Sequence, residues 1–162
     1  MSYSQKYTLV HFILPKEAGA EFHMSEWPLH ITLADVFAIN RRESKLDVHL
    51  QTLLSKTSPI TTTVVDDGML STTPVMLLEK VIDLQHFHES LVAMLEEGGA
   101  AFNTPEFTRN GFIPHSTKQA NSNMVLGNTV TIDSVSLIDM YPDAQWQKRR
   151  VLATYRMKQH TS

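Results

Sequence analysis

Runs of β-branched and apolar residues, bounded by polar and turn-forming residues, recur seven times along the chain and read as short strands. The runs are KYTLVHFIL, PLHITLADVF, PITTTVVDD, PVMLLEKVI, GFIPHSTKQ, TVTIDSVSLIDMY and RRVLATYRM, with turn signals at DDG, TTP and YPDAQ. Two other segments have helical spacing. In SKLDVHLQTLLSK, Leu46, Leu50, Leu53 and Leu54 fall on one face, and Ser44 is placed to cap the start. In DLQHFHESLVAMLEEGG, Leu84, Phe87, Leu91 and Leu95 do the same, between Asp83 as N-cap and Gly98 or Gly99 as C-cap.

The order is strand, strand, helix, two or three strands, helix, strand, then a hairpin whose last strand is expected to bury Val151, Ala153, Tyr155 and Met157. That order predicts an α+β fold with two antiparallel sheets and outer helices. A faint repeat, one His-x-Thr strand and one amphipathic helix in each half, predicts two similar lobes facing each other. No stretch has the composition of a linker, so residues 1–162 read as a single domain.

Composition narrows the chemistry. With 42% hydrophobic and 19% charged residues, the 162-residue chain has enough apolar material for one sizeable core. Cysteine is absent, which excludes disulfides, thiolate catalysis and thiolate metal sites, and leaves His, Asp and Glu as metal ligands. A net charge of -3 gives no footprint for wrapping a polyanion, although a small anion or a strand end stays open. The first apolar run is interrupted by His11 and closed by Pro15, too short for a membrane span and unlike a signal peptide. A soluble, cytoplasmic monomer with no membrane or evident protein partner is expected.

The run WPLHITLADVF sets His30 and Thr32 two positions apart in an apolar strand, so the two share a face while Leu29, Ile31 and Leu33 share the other. FIPHSTKQ repeats the arrangement with His115 and Thr117, and Pro114 keeps the segment out of helix. His followed two residues later by Ser or Thr is a cheap pattern: five of the eight histidines fit it, His23, His30, His88, His115 and His160. Context separates them. His88 falls in a predicted helix, where i and i+2 do not share a face, His23 in a polar loop and His160 at the terminus. Only His30 and His115 lie on predicted strands, each near a proline and each with Thr at the third position.

In-line displacement at a phosphate diester needs a base at the attacking oxygen and an acid at the leaving oxygen. Two imidazoles with pKa values near ~6.5 can serve, each contributing on the order of 10²–10⁴ in rate. Threonine hydroxyls can donate to the non-bridging oxygens as charge develops there. Such chemistry requires no metal or cofactor, and none is expected.

PLHITL and FIPHST resemble the paired His-x-[Ser/Thr] motifs of the 2H phosphoesterases, and YTLVHFILP is similar to that superfamily's first strand. The likeness is to the bacterial branch of 2'-5' RNA ligases and 2',3'-cyclic phosphodiesterases. It implies a bilobal, pseudo-twofold fold with the active-site cleft between the lobes. It further implies that His30 and His115 are the acid and base, and that Thr32 and Thr117 bind phosphate. The implied substrates are 2',3'-cyclic phosphates on RNA ends or small nucleotides. There are two departures: Lys118 stands where the family has an apolar residue, and the arginine expected shortly downstream is missing.

Several residues carry two readings. His11, mid-strand, suits the core or the cleft lining. Trp27 and Phe112 suit packing or stacking on a base. Lys118 is expected to point away from His115 and Thr117, and Gln119 to share their face if the strand continues. Lys148, Arg149 and Arg150 read as a solvated face or as a rim that steers an anion. His86 and His88 diverge on a helix, so no metal pair is assigned. Beside the enzyme stand two alternatives: a nucleotide-binding or sensing module that keeps the cleft without turnover, and an α+β protein with merely structural histidines.

Overall fold

A computed structural model describes residues 5–119 and 122–159 of the chain. His160 lies outside the described residues. The strands are β1 Lys6–Phe12, β2 Glu21–His23, β3 His30–Ala38, β4 Ile60–Leu70, β5 Thr73–Leu78, β6 Ala101–Phe102, β7 His115–Thr117, β8 Thr129–Ile132, β9 Ser134–Asp139 and β10 Lys148–Arg156. The helices are α1 Leu46–Lys56 and α2 Ile82–Glu97. The strands form two antiparallel sheets, ordered β2-β10-β9-β1-β3-β6 and β7-β5-β4-β8. This is the expected α+β architecture.

One main core joins both sheets and both helices. α1 contributes Leu46, Leu50 and Leu54, and α2 contributes Leu84, Phe87, Leu91 and Leu95. Each fully buried leucine stabilises the fold by roughly 1.5–3 kcal/mol. A smaller cluster of Val10, Phe12, Ile138 and Val151 occupies the opposite face of the first sheet, with Phe22 and Trp27 packed against it.

The chain assigns its strands to sheets differently from a division into half-chains. TVTIDSVSLIDMY breaks at Asp133, so that β8 joins the second sheet and β9 joins the first. The first lobe therefore contains strands from both ends of the chain. Asp66, Asp67 and Gly68, expected as a turn, are strand residues inside β4, and the chain reverses later, at Ser71 and Thr72, where Leu70 pairs with Thr73. Pairing along the β4–β5 hairpin outweighs the local turn preference of those residues. β2 and β6 are short edge strands without a hydrophobic pattern to announce them, and His23 lies in β2 rather than in a loop.

Three local expectations are corrected. Ser44 does not cap α1: the N-cap is Lys45 in the left-handed region, and a preceding turn already satisfies the amides of Ser44, Lys45 and Leu46 with the carbonyls of Asn40, Arg42 and Arg41. α2 starts earlier than expected, with Val81 as N-cap, which places Asp83 in the first turn where a carboxylate complements the helix dipole. In β10 a bulge between Val151 and Ala153 breaks the alternation, sending Val151 to the small cluster and Leu152 to the main core, beside Tyr155 and Met157. At its other end α2 closes as expected, with Gly98 as C-cap and Gly99 at φ 92°.

Candidate active site between the two sheets

β3 passes close to β7, the edge strand of the second sheet. Between them opens a cleft of about 380 Å³, lined by Thr32 and Asp35 from β3, His115 and Thr117 from β7, and Val75 from β5. The pleat explains which side chains face it, with Thr32, His115 and Thr117 in the lining and His30 beside it on the Thr32 face of β3. His30 pairs with Phe12 and Thr32 with Val10, on the face opposite Ile31 and Leu33. On the other wall His115 pairs with Leu77 and Thr117 with Val75, while Ser116 turns into the protein with Met76.

The two histidines are held in the same way. His30 Nδ1 lies 2.8 Å from the carbonyl of Pro28, and His115 Nδ1 lies 2.7 Å from the carbonyl of Ile113, each two residues upstream. A carbonyl only accepts, so Nδ1 of each ring carries the hydrogen and donates it. Nε2 of each is left with a lone pair in the neutral ring and a proton in the charged one. Burial lowers the pKa of His30; the bond to Pro28 opposes that, and the charge of His115 lowers it further. His30 lies against Trp27, with centroids 4.6 Å apart, and edge-on to Phe12.

No protein-family model and no curated protein sequence matches the chain. Solved structures do. A phosphoesterase superposes with a TM-score of 0.63 at 16% identity, covering 97% of this chain and 100% of its own. E. coli LigT complexed with NADP+ gives 0.60 at 17% identity, covering 98% and 100%. TT0787 of Thermus thermophilus gives 0.60 at 18% identity, covering 96% and 100%. The chain has a LigT-like phosphoesterase fold.

Within the LigT-like fold, the remaining predicted residues separate clearly. Phe112 lines the cleft but is buried, stacked on His88. Trp27 packs between Phe22 and His30, beside the cleft rather than in its lining. His11 is a core residue: it pairs with Ile31 on the face away from Thr32, and its Nδ1 donates to the Ser134 carbonyl at 2.9 Å. Burial lowers its pKa. Gln119 does not continue the site face, because β7 ends at Thr117; its backbone N–H goes to Asn123 and its side-chain amide turns back to the Thr117 carbonyl. Lys118 points away from the cleft, as alternation requires, with its Nζ 3.8 Å from Asp67. Among the described helices, none is long and apolar enough to cross a membrane.

Two further residues bear on the cleft without being sequence candidates for it. His88 is buried in α2, donates from Nδ1 to the Leu33 carbonyl at 2.7 Å, and accepts the Arg109 N–H at Nε2 over 3.0 Å. It thereby ties the residue after Thr32 to the segment that leads into Pro114 and His115. Burial lowers its pKa. Its signal was present: His88 falls four residues after Leu84 and three before Leu91, on the apolar face of the helix. His86, by contrast, is exposed, so the two histidines do diverge. Asp35 reaches the cleft because Leu33 is an extra residue against β1, where Leu9 pairs with Ala34 and Val10 with Thr32. Strict alternation does not predict that placement.

Proposed function

We propose that the chain is a 2H phosphoesterase that opens 2',3'-cyclic phosphates on RNA ends or small nucleotides by two-histidine acid/base catalysis. The observation that supports this best is the matched pair of Nδ1–H to carbonyl bonds at His30 and His115. It leaves Nε2 of each ring without a hydrogen bond among the described residues, with His115, Thr32 and Thr117 lining one cleft and His30 beside it on the Thr32 face of β3.

His30, kept neutral by its burial, takes a proton from water at Nε2. The water oxygen bonds to phosphorus as the P–O3' bond breaks, and His115 gives its Nε2 proton to the departing O3'. The product is a 2'-phosphate and a 3'-hydroxyl. Thr32 and Thr117 donate to the non-bridging oxygens, whose charge grows in the transition state. With a 5'-hydroxyl in place of water as the attacking group, the same step forms a 2'-5' linkage as P–O3' breaks, and its reverse cleaves that linkage to a cyclic phosphate and a 5'-hydroxyl.

Product analysis by phosphorus NMR on a small library of nucleoside cyclic phosphates tests the reading. The expected product is the 2'-phosphate alone; release of the 3'-phosphate, or of both isomers equally, contradicts the assigned geometry. A second reading is a nucleotide-binding module without turnover, favoured by the Trp27 ring that partly covers His30. Tight binding without hydrolysis across the library supports that one instead.

A further inference from the structure

The charges around the cleft point to a narrower substrate than the reading above, on which this step rests. Among the described residues that line the cleft there is no lysine or arginine, and there is one carboxylate, Asp35. The basic residues that could have served are engaged elsewhere. Lys118 faces Asp67, Arg150 is held by Glu21 and Asp143, and Arg109 is held by Glu96. Arg149 donates to the backbone carbonyls of Met140, Trp146 and Lys148.

Asp35 is a built feature of the wall. One carboxylate oxygen accepts the Val36 N–H at 2.8 Å and the other accepts the Thr104 hydroxyl at 3.1 Å, so the group is oriented by neutral donors, with no ion pair among the described residues. The margin carries an apolar patch, with Met69, Phe107 and Ile113 leaving 60%, 40% and 38% of their surface exposed, beside the neutral hydroxyl residues Ser71 and Thr73. At about 380 Å³ the cleft lies near the small end of the ~300–1,000 Å³ range of ligand sites.

We propose that the cleft selects singly charged cyclic mononucleotides and disfavours polyanionic RNA ends, with Asp35 as the specificity-determining group. One phosphate is met by the two imidazoles and two hydroxyls. The apolar margin takes the flat face of a base. Every further phosphate enters a space without a lysine or arginine and within the field of a fixed carboxylate, where the counterion release that drives polyanion binding has little source.

The test compares adenosine 2',3'-cyclic phosphate with its 5'-phosphorylated form and with a short RNA ending in a cyclic phosphate, at low and high salt. Turnover is read as kcat/KM. Binding of the corresponding 2'-phosphate products is read separately from histidine ring shifts. The nucleoside form is expected to lead by on the order of tenfold, and by more at low salt, where screening is weakest. Asp35→Asn should narrow that ratio by about threefold or more. Met69→Lys, at an exposed margin position, should narrow it as well and keeps the test open if the Asp35 variant does not fold.

A preference for the RNA with a steeply falling salt dependence overturns the proposal, as does a ratio that neither variant moves. The two readings fail separately. Active enzyme without charge ranking sinks this inference alone, whereas charge-ranked binding without any turnover sinks the proposed hydrolysis alone.

Discussion

The ring of His88 lies flat on the ring of Phe112, with centroids 3.9 Å apart and planes 6° apart. The contact joins α2 to the segment that delivers His115, while the two nitrogens of His88 hold the Leu33 carbonyl and the Arg109 amide. Both sides of the cleft are thus referenced to one neutral imidazole. His88→Phe keeps the volume and the stacking but strands the buried Leu33 carbonyl and the partly buried Arg109 N–H. It should destabilise the fold by about 2–5 kcal/mol and lower kcat more than it raises KM. His88→Asn, which retains a donor near the Nδ1 position, should recover part of kcat. Steady-state kinetics well below each variant's melting temperature checks this, and unchanged kcat in His88→Phe would reduce His88 to a packing residue.

Burial lowers the pKa of His11, His30 and His88. In the unfolded chain these rings take up protons near pH ~6.5, whereas the folded protein resists protonation until lower pH. The unfolded state therefore binds more protons below that point, and stability present above pH ~6.5 is lost as the pH falls toward the folded values. Denaturant midpoints should decline from about pH 7.5 to about pH 5.5, a window in which carboxylates contribute little. A flat or rising profile across that window would contradict the assigned burial.

Gly111 marks a close backbone approach. A Cβ at this position would lie 1.8 Å from the carbonyl oxygen of Glu106, far inside contact distance, so the two short 3₁₀ turns over 105–111 must open to admit one. Those turns lead directly into Phe112, Pro114 and His115. Gly111→Ala should cost about 2 kcal/mol or more and should impair turnover beyond the loss of folded protein. Chemical denaturation and kinetics on the same sample separate the two effects, and a fully active, fully stable variant would show that the loop is not constrained.

His30 and His115 should each be indispensable to turnover. His30→Ala or His115→Ala is expected to lower kcat/KM for a nucleoside cyclic phosphate by about 10²–10⁴-fold, with an acid limb in the parent enzyme displaced below pH ~6.5 by the burial of His30. Parental rates in either variant would remove the acid/base assignment.

Much of this arrangement was legible in the chain. Period-two alternation located the two His-x-Thr strands and the face they present, because one buried side of a strand leaves the other free to carry chemistry. The same rule turned Lys118 away from the site. It failed where the backbone departs from strict alternation: the bulge at Leu33 brings Asp35 to the cleft, and the early end of β7 takes Gln119 out of line. His88 is not marked by His-x-Ser spacing, because its place is set by the helical period that puts it on the apolar face of α2 with Leu84 and Leu91. The crossing of β8 and β9 between sheets is a tertiary choice, made at Asp133 inside a run that reads as one strand.

The most direct test is nitrogen-15 NMR of the histidine side chains during titration with a nucleoside 2'-monophosphate. If one phosphate is held between the two rings, the Nε2 resonances of His30 and His115 should shift together, saturate at one equivalent and report the same dissociation constant, while His11 and His88 stay fixed. A shift confined to one of the two rings, or two different dissociation constants, would contradict a shared phosphate.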